Sequence, residues 1–431
     1  MNPALSHMNS WSRKGGVKEH AVLATIVFSK SAKNAKDSSE ELAELSKSAG
    51  LSVAQNLIYK QRVPNAPLLL GRGQVEFLKK WAEEENADVV VFDNNLSPSQ
   101  QRNLEEILEI KTIDRTQLIL DIFAARARSI EGKLQVELAQ LKYLLPRLPG
   151  KGIYLSRLGG GVGTRGPGEQ KLEVDRRRIR ERIALLGHRL ETVEKRRLAD
   201  IQRKKEKELP LVTLVGYTNA GKSSLFNALT RSSTLVKDKL FSTLDTTTRL
   251  LTLPGGQKAL LADTVGFIRD LPHTLIESFK ATLEETIHAD ILLHVVDSNL
   301  RDFLEREKAV NQVLSELNVR DKKTLIVMNK IDLLGDKRYE KMSFNAGAVE
   351  RVWVSALTGE GIERLLERIP QSLPRWQPRE IFIPNEHPKL VNFLYENAEV
   401  TARRDEPSGV YLTLNISLKT EQLLRKKLTA C

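Results

Sequence analysis

Apolar runs of strand length alternate with amphipathic stretches through the first hundred residues. Residues 21–28 (AVLATIVF) form a continuous apolar run, and residues 38–49 keep Leu42 and Leu45 on one helical face. Residues 51–62 predict a second strand, and 74–86 a helix with Val75, Leu78 and Trp81 in phase. A strand at 88–93 (DVVVFD) and a helix at 98–108 follow. Strands and helices alternating at this length predict a small parallel α/β domain over 21–114, behind a disordered tail at 1–20. No catalytic pattern occurs in it. Gly71-Arg72-Gly73-Gln74 reads as a plain turn or as a helix cap facing an anion.

From Thr116 the period becomes helical, and Leu118, Ile122, Leu134, Leu138, Leu141 and Leu145 keep one stripe until Pro146 and Pro149. A second helix opens near Glu169. Its stripe, Ile179, Ile183, Leu186, Leu190 and Val193, alternates steps of four and three, the seam of a coiled coil. Each helix is too polar to stand alone, so the two predict an antiparallel coiled-coil arm over 115–208. Its tip, residues 150–168, holds eight glycines. Gly161, Gly163 and Gly166 match a dinucleotide fingerprint in spacing but follow no strand, which removes that reading. A simple connector needs only a few residues. Glycines interleaved with Arg157 and Arg165 admit close approach to phosphates, so the predicted RNA contacts are Arg157, Gly160, Gly161, Gly163, Arg165 and Gly166, with Arg176 and Arg177 beside them.

Charge sharpens this picture. The chain carries 67 Lys and Arg against 55 Asp and Glu, a net of +12, and residues 126–208 alone hold 22 against 11, or +11. Such a run is either a solvated face or the footprint of an anionic partner. The single cysteine, Cys431, rules out an intramolecular disulfide or a thiolate metal cluster and fits a reducing cytoplasm. No apolar run spans a bilayer and the first sixteen residues are polar. The expectation is a cytoplasmic protein, monomeric in solution, with at most peripheral membrane contact.

From residue 210 the α/β alternation returns on a larger scale. The apolar run 211–215 (LVTLV) feeds Gly216-Tyr217-Thr218-Asn219-Ala220-Gly221-Lys222-Ser223, a strand delivering a phosphate-binding loop to a helix. Its N–H groups predict a cradle for phosphate oxygens, with Lys222 on the terminal phosphates and the Ser223 hydroxyl on Mg²⁺. Phe241-Ser242-Thr243-Leu244-Asp245 follows in a polar segment able to fold over a nucleotide, where Thr243 offers a second hydroxyl to Mg²⁺. A strand at 259–262 then delivers Asp263-Thr264-Val265-Gly266: an aspartate able to hold Mg²⁺ through water, and a backbone N–H for the γ-phosphate. Strands at 291–296 and 324–328 end in Asp297 and in Asn329-Lys330-Ile331-Asp332. A carboxylate at Asp332 accepts from both guanine N1–H and N2–H₂, which adenine does not match. Ser355-Ala356-Leu357 is placed to offer a backbone N–H to guanine O6. Residues 209–374 thus read as a nucleotide domain with a mostly parallel sheet, and 375–431 as a small α+β domain with a helix at 390–397 and a strand at 410–417.

The motifs GYTNAGKS, FSTLD, DTVG, NKID and SAL resemble, in this order, those of translation-factor-class P-loop GTPases. Asp114-Arg115-Thr116-Gln117, the stretch EGKLQVELAQL at 131–141 and the loop GGGVGTRGPGE resemble the HflX family in particular, over residues 21 to 374 at least. Thr246 stands where the family pattern leads one to expect proline. The resemblance implies a GTPase that binds the large ribosomal subunit and its RNA, helps dissociate stalled or stress-damaged ribosomes, and hydrolyses GTP to GDP faster when docked. An alternative is an ATP- or GTP-dependent RNA-remodelling factor, although the chain has no second phosphate loop. Phe267 occupies the position after Gly266 where many GTPases carry a water-orienting glutamine, so intrinsic hydrolysis is expected to be slow. The catalytic groups expected are Lys222, Thr243 and Gly266. Asn219 resembles the asparagine of potassium-activated relatives: it either holds a K⁺ beside the phosphates or only braces the loop.

Overall fold

The computed structural model describes residues 18–28, 35–150, 167–206, 209–231, 241, 246–254, 256–269, 283–300, 302–319, 321–335, 351–373, 377–416 and 418–429. The chain divides into two compact units, residues 1–193 with 238–245 and 271–280, and residues 194–237 with 246–270 and 281–431.

The first unit opens on β1 (His20–Phe28), buried over most of its length because it is central in a parallel sheet. Helix α1 (Ala35–Ala49), β2 (Ser52–Gln61), α2 (Arg72–Glu84), β3 (Val89–Phe92), α3 (Pro98–Leu108) and β4 (Lys111–Asp114) complete it in strand order β2-β1-β3-β4. Ala21 to Ala24 lie beside Val89 to Phe92, so two apolar runs form the middle of the sheet. Strand β4 is an element that the hydrophobic pattern misses. Its Thr112 and Asp114 are polar yet buried, because tertiary partners satisfy them. The Asp114 carboxylate accepts from Gln117 N–H at 2.8 Å, capping the next helix, and from Tyr143 Oη at 2.9 Å and Leu96 N–H at 3.1 Å. Arg115 is buried between Glu41 (2.8 Å) and Asp93 (2.6 Å). The stretch 114–117 is therefore a structural hub of this unit.

The stripe read as one helix from Thr116 is two helices. Helix α4 (Arg115–Arg126) is apolar on nearly every side and packs against α1, β3 and β4. The backbone then breaks, and Ser129 caps α5 (Ile130–Leu144) by accepting from Gly132 N–H at 2.8 Å. The arm thus begins at Ile130. After a short 3₁₀ turn (Leu145–Gly150) comes α6 (Pro167–Glu206), 40 residues and about 60 Å long. Leu138, Leu141, Leu144 and Leu148 bury against Ile179 and Leu186, and Arg182 grips Glu137 in a bidentate pair at 2.7 and 2.9 Å.

The second unit holds a six-stranded sheet in order β10-β9-β8-β5-β7-β6. Its members are β5 (Leu211–Gly216), β6 (Thr247–Thr252), β7 (Lys258–Asp263), β8 (Ile291–Asp297), β9 (Thr324–Asn329) and β10 (Arg351–Trp353). Only β6 runs antiparallel, against β7. Helices α7 (Lys222–Thr230), α8 (Glu284–His288), α9 (Phe303–Glu316) and α10 (Ile362–Ser372) accompany the strands, and Leu225, Leu229, Leu365 and Ile369 seal one core with Val212, Leu214, Leu293 and Val327. This is the doubly-wound α/β arrangement, with loops at the carboxyl ends of the strands available to a ligand. A three-stranded antiparallel sheet, β11 (Gln377–Pro384), β12 (Glu399–Glu406) and β13 (Gly409–Ile416) in order β11-β13-β12, follows with α11 (Pro388–Asn397) and α12 (Leu418–Thr429). Among the described residues no helix is long and apolar enough to cross a membrane.

Candidate nucleotide site

Strand β5 is buried at every residue and delivers its last member, Gly216, beside Val295 of β8. The loop that follows takes its shape from close approach. Gly221 has φ +91°, and a Cβ there would lie 2.2 Å from Asn329 Nδ2. Asn329 Nδ2 donates to Ala220 O at 2.9 Å while its Oδ1 accepts from Ala356 N–H at 3.0 Å. One side chain thus ties the phosphate loop to the base-side loop. Asn219 sits at the crest with φ +60° and is exposed.

Lys222 is buried, and its Nζ donates to Gly216 O (3.1 Å) and Tyr217 O (2.8 Å). Burial pulls this ammonium down to about 8, opposed by the Asp263 carboxylate, so it remains cationic at neutral pH. Ser223 Oγ donates to Asp263 Oδ2 at 2.7 Å. A hydroxyl and a carboxylate converging at a helix N-terminus are hard oxygen donors suited to Mg²⁺. Thr264 Oγ1 donates to Leu214 O at 2.6 Å and closes the end of β7 onto β5.

Gly266 lies directly on the phosphate loop: a Cβ there would sit 2.8 Å from Thr218 Cα and 2.9 Å from Lys222 Nζ. The cradle therefore has room for backbone only. Val265 and Phe267 are buried, Phe267 at 1% exposure. The Phe267 N–H donates to Gly216 O at 3.1 Å and its carbonyl accepts from Thr218 N–H at 2.7 Å, a short parallel bridge to Tyr217. The phenyl ring contributes no acid or base to this end of the site.

On the base side, Lys330 takes φ +65° and its Nζ pairs with Asp297 at 2.8 Å. Asp332 accepts from Ser355 Oγ at 2.5 Å, which fixes the carboxylate, and Ile331 is buried beneath it. Leu357 is 85% exposed. Ala356 N–H donates to Asn329 Oδ1 at 3.0 Å.

The remaining expected residues divide. Ser242, Thr243, Leu244 and Asp245 lie outside the described residues, as do Arg157, Gly160, Gly161, Gly163, Arg165 and Gly166. Phe241, expected to contact nucleotide, has its ring buried edge-to-face on Phe123 of α4, centroids 4.6 Å apart. Its position is set by aromatic packing. Arg176 and Arg177 lie on α6; Arg177 is 72% exposed, with Glu181 3.8 Å away.

Sequence reasoning missed two groups. Arg269, two residues past Phe267, pairs with Asp302 just before α9, and its N–H donates to Tyr217 Oη at 2.8 Å. The arginine is visible in the sequence, but its partner is 33 positions away. It also missed His294 on β8, buried and held neutral, down to about 4, by desolvation and then by the nearby Lys222 and Arg351 cations.

Family models match four consecutive stretches: "GTP-binding GTPase N-terminal" over 36–124, "GTP-binding GTPase Middle Region" over 126–205, "50S ribosome-binding GTPase" over 211–330 and "HflX C-terminal domain" over 342–430. A curated relative from Caldanaerobacter subterraneus subsp. tengcongensis, GTPase HflX, is 46% identical across 95% of this chain and 93% of its own length. GTPase HflX of Escherichia coli is 46% identical across 82% of this chain and 83% of its own. Among solved structures, a GTP-binding protein of Sulfolobus solfataricus in complex with GDP matches 82% of this chain and 98% of its own, at 28% identity and a TM-score of 0.42.

Proposed function

This chain belongs to the HflX family of GTPases, and from that premise we propose that it binds the large ribosomal subunit and promotes dissociation of stalled or stress-damaged ribosomes. Guanine-nucleotide binding and GTP hydrolysis follow from the family and the phosphate loop. The ribosomal partner is supported by the match of residues 211–330 to a ribosome-binding GTPase family and by the charge of residues 126–208, +11 of the chain's +12. That charge distribution is the observation that carries the proposal, because a phosphate-rich partner is what a basic two-helix arm recognises. The arm meets ribosomal RNA with Arg176, Arg177 and the glycine-rich tip at 150–168, and the protein acts as a monomer in the cytoplasm.

GTP is held by the N–H groups of 216–223 and by Lys222, and guanine is selected by Asp332, braced by Ser355. The Ser223 and Thr243 hydroxyls, with Asp263, would hold Mg²⁺, which would supply charge neutralisation at the phosphates. In this reading Asn219, exposed at the crest of the loop, would hold a K⁺ that adds positive charge there. Since Phe267 offers no group to orient water, hydrolysis rests on electrostatic stabilisation by Lys222 and Gly266 N–H, and docking on the subunit completes it.

The test is co-sedimentation with purified large subunits over a salt series. Replacing Arg176, Arg177, Arg178 and Arg180 with alanine is expected to weaken binding and flatten the salt dependence by up to about one unit of log–log slope for each phosphate no longer neutralised. An unchanged slope removes the arm from the interface.

A further inference from the structure

We propose that Arg269 is a positioning residue for GTP hydrolysis, acting through Tyr217 and Asp302 to hold the backbone of Gly266 against the phosphate loop. The inference rests on the hydrolase reading and adds to it a group that fixes the backbone near Gly266 without touching the reacting atoms.

The segment from Gly266 to Arg269 is pinned at two places. At Phe267, backbone hydrogen bonds run both ways to Gly216 O and Thr218 N. At Arg269, the N–H is accepted by Tyr217 Oη at 2.8 Å and the guanidinium pairs with Asp302. Both anchors lead back to Tyr217, the first residue of the phosphate loop after Gly216. Tyr217 is held in turn from the other side, where the Arg306 guanidinium lies 4.8 Å over its ring and donates to Asp302 Oδ2 at 2.9 Å. Asp302 thus receives two arginines, one from the segment after Gly266 and one from α9.

Burial makes this arrangement stiff. The side chains of Arg269 and Asp302 are 13% and 8% exposed, so the pair is little screened by water, and Glu305 lies 3.8 Å from the same guanidinium. A charged network of this kind adds little net stability but defines one geometry. The geometry matters because no side chain at position 267 orients water. The N–H of Gly266 must then be placed by the chain on either side of it, and a misplacement of about 1 Å is enough to reduce a rate by about a hundredfold. The short bridge at Phe267 fixes this segment close to Gly266, and Arg269 fixes it two residues further on.

The test uses the full chain with Arg269→Ala, Asp302→Asn, Tyr217→Phe, Arg269→Lys and the Arg269→Ala/Asp302→Ala double variant. Single-turnover hydrolysis, KM for GTP and affinity for a fluorescent GDP are measured together. The rate constant is expected to fall about tenfold or more in Arg269→Ala and Asp302→Asn, while KM and GDP affinity stay within about twofold. Arg269→Lys recovers part of the loss because an ammonium still reaches Asp302, and Tyr217→Phe, which removes only the hydroxyl, shows a smaller loss of the same kind. The double variant is no slower than Asp302→Asn, since loss of the Asp302 charge already releases both Arg269 and Arg306. Rates within twofold of wild type, additive losses, or GDP affinity falling in step with the rate would overturn the proposal. A wild-type chain that turns over no GTP contradicts the hydrolase reading instead, which keeps the two failures distinct.

Discussion

Gly266→Ala is the substitution whose effect can be worked furthest from the structure. The new methyl would sit 2.8 Å from both Cα and Cγ2 of Thr218 and 2.9 Å from Lys222 Nζ. Ordinary contact between carbon atoms begins at about 3.5 Å. Thr218 Cα belongs to the phosphate loop, which Asn329 and the β5–β8 pairing hold in place, so the segment carrying residue 266 must retreat by roughly 1 Å. A displacement of that size at a catalytic donor costs about a hundredfold in rate, or about 2.7 kcal/mol of barrier. Binding of GDP depends on the phosphate-loop N–H groups, Lys222 and Asp332, which belong to elements other than the segment that retreats. The prediction is a single-turnover rate down about two orders of magnitude, with fluorescent GDP affinity within about threefold of wild type. A rate within threefold of wild type, or GDP affinity lost in parallel, refutes the placement of Gly266 on the loop.

Asp332→Asn should shift preference from GTP toward XTP, since an amide donates where the carboxylate accepted, and competition binding with the two nucleotides reads it directly; unchanged GTP preference removes Asp332 from base recognition. Subunit-stimulated hydrolysis should be faster in K⁺ than in Na⁺ buffer, and Asn219→Ala should abolish the difference; equal wild-type rates remove the cation. His294 is held neutral at about 4 when folded against 6.5 when free, so its contribution is intact above pH 6.5 and lost as pH falls toward 4, where the unfolded chain binds the extra proton. The loss reaches about 3 kcal/mol, and denaturant midpoints of a His294→Gln variant should decline less steeply than wild type across that window.

Much of the nucleotide site was legible because its elements announce themselves locally. Strand β5 is a buried apolar run, and glycines at 216 and 221 mark positions where a side chain would collide with Val295 O and Asn329. Strand β3 was equally plain, with four buried residues in a row. Strand β4 was not, since Lys111-Thr112-Ile113-Asp114 owes its burial to partners such as Tyr143 and Arg147 that lie far along the chain. The break between α4 and α5 was hidden because the apolar stripe stays in phase across Ala127 to Ser129. Strands β6 and β12 carry exposed side chains over much of their length and exist through pairing with β7 and β13. Arg269 and Asp302 show the same limit at the functional level: each reads as an ordinary surface charge until folding brings them together.

A ribosome-binding arm that governs a GTPase switch is the central claim. The most direct test is the GTP hydrolysis rate with and without purified large ribosomal subunits, for the wild-type chain and for one with residues 160–167 replaced by a short flexible linker. Wild type should be stimulated at least tenfold by subunits, while the linker variant keeps its unstimulated rate and loses most of the stimulation. Equal stimulation of both chains, or none of the wild type, would contradict it.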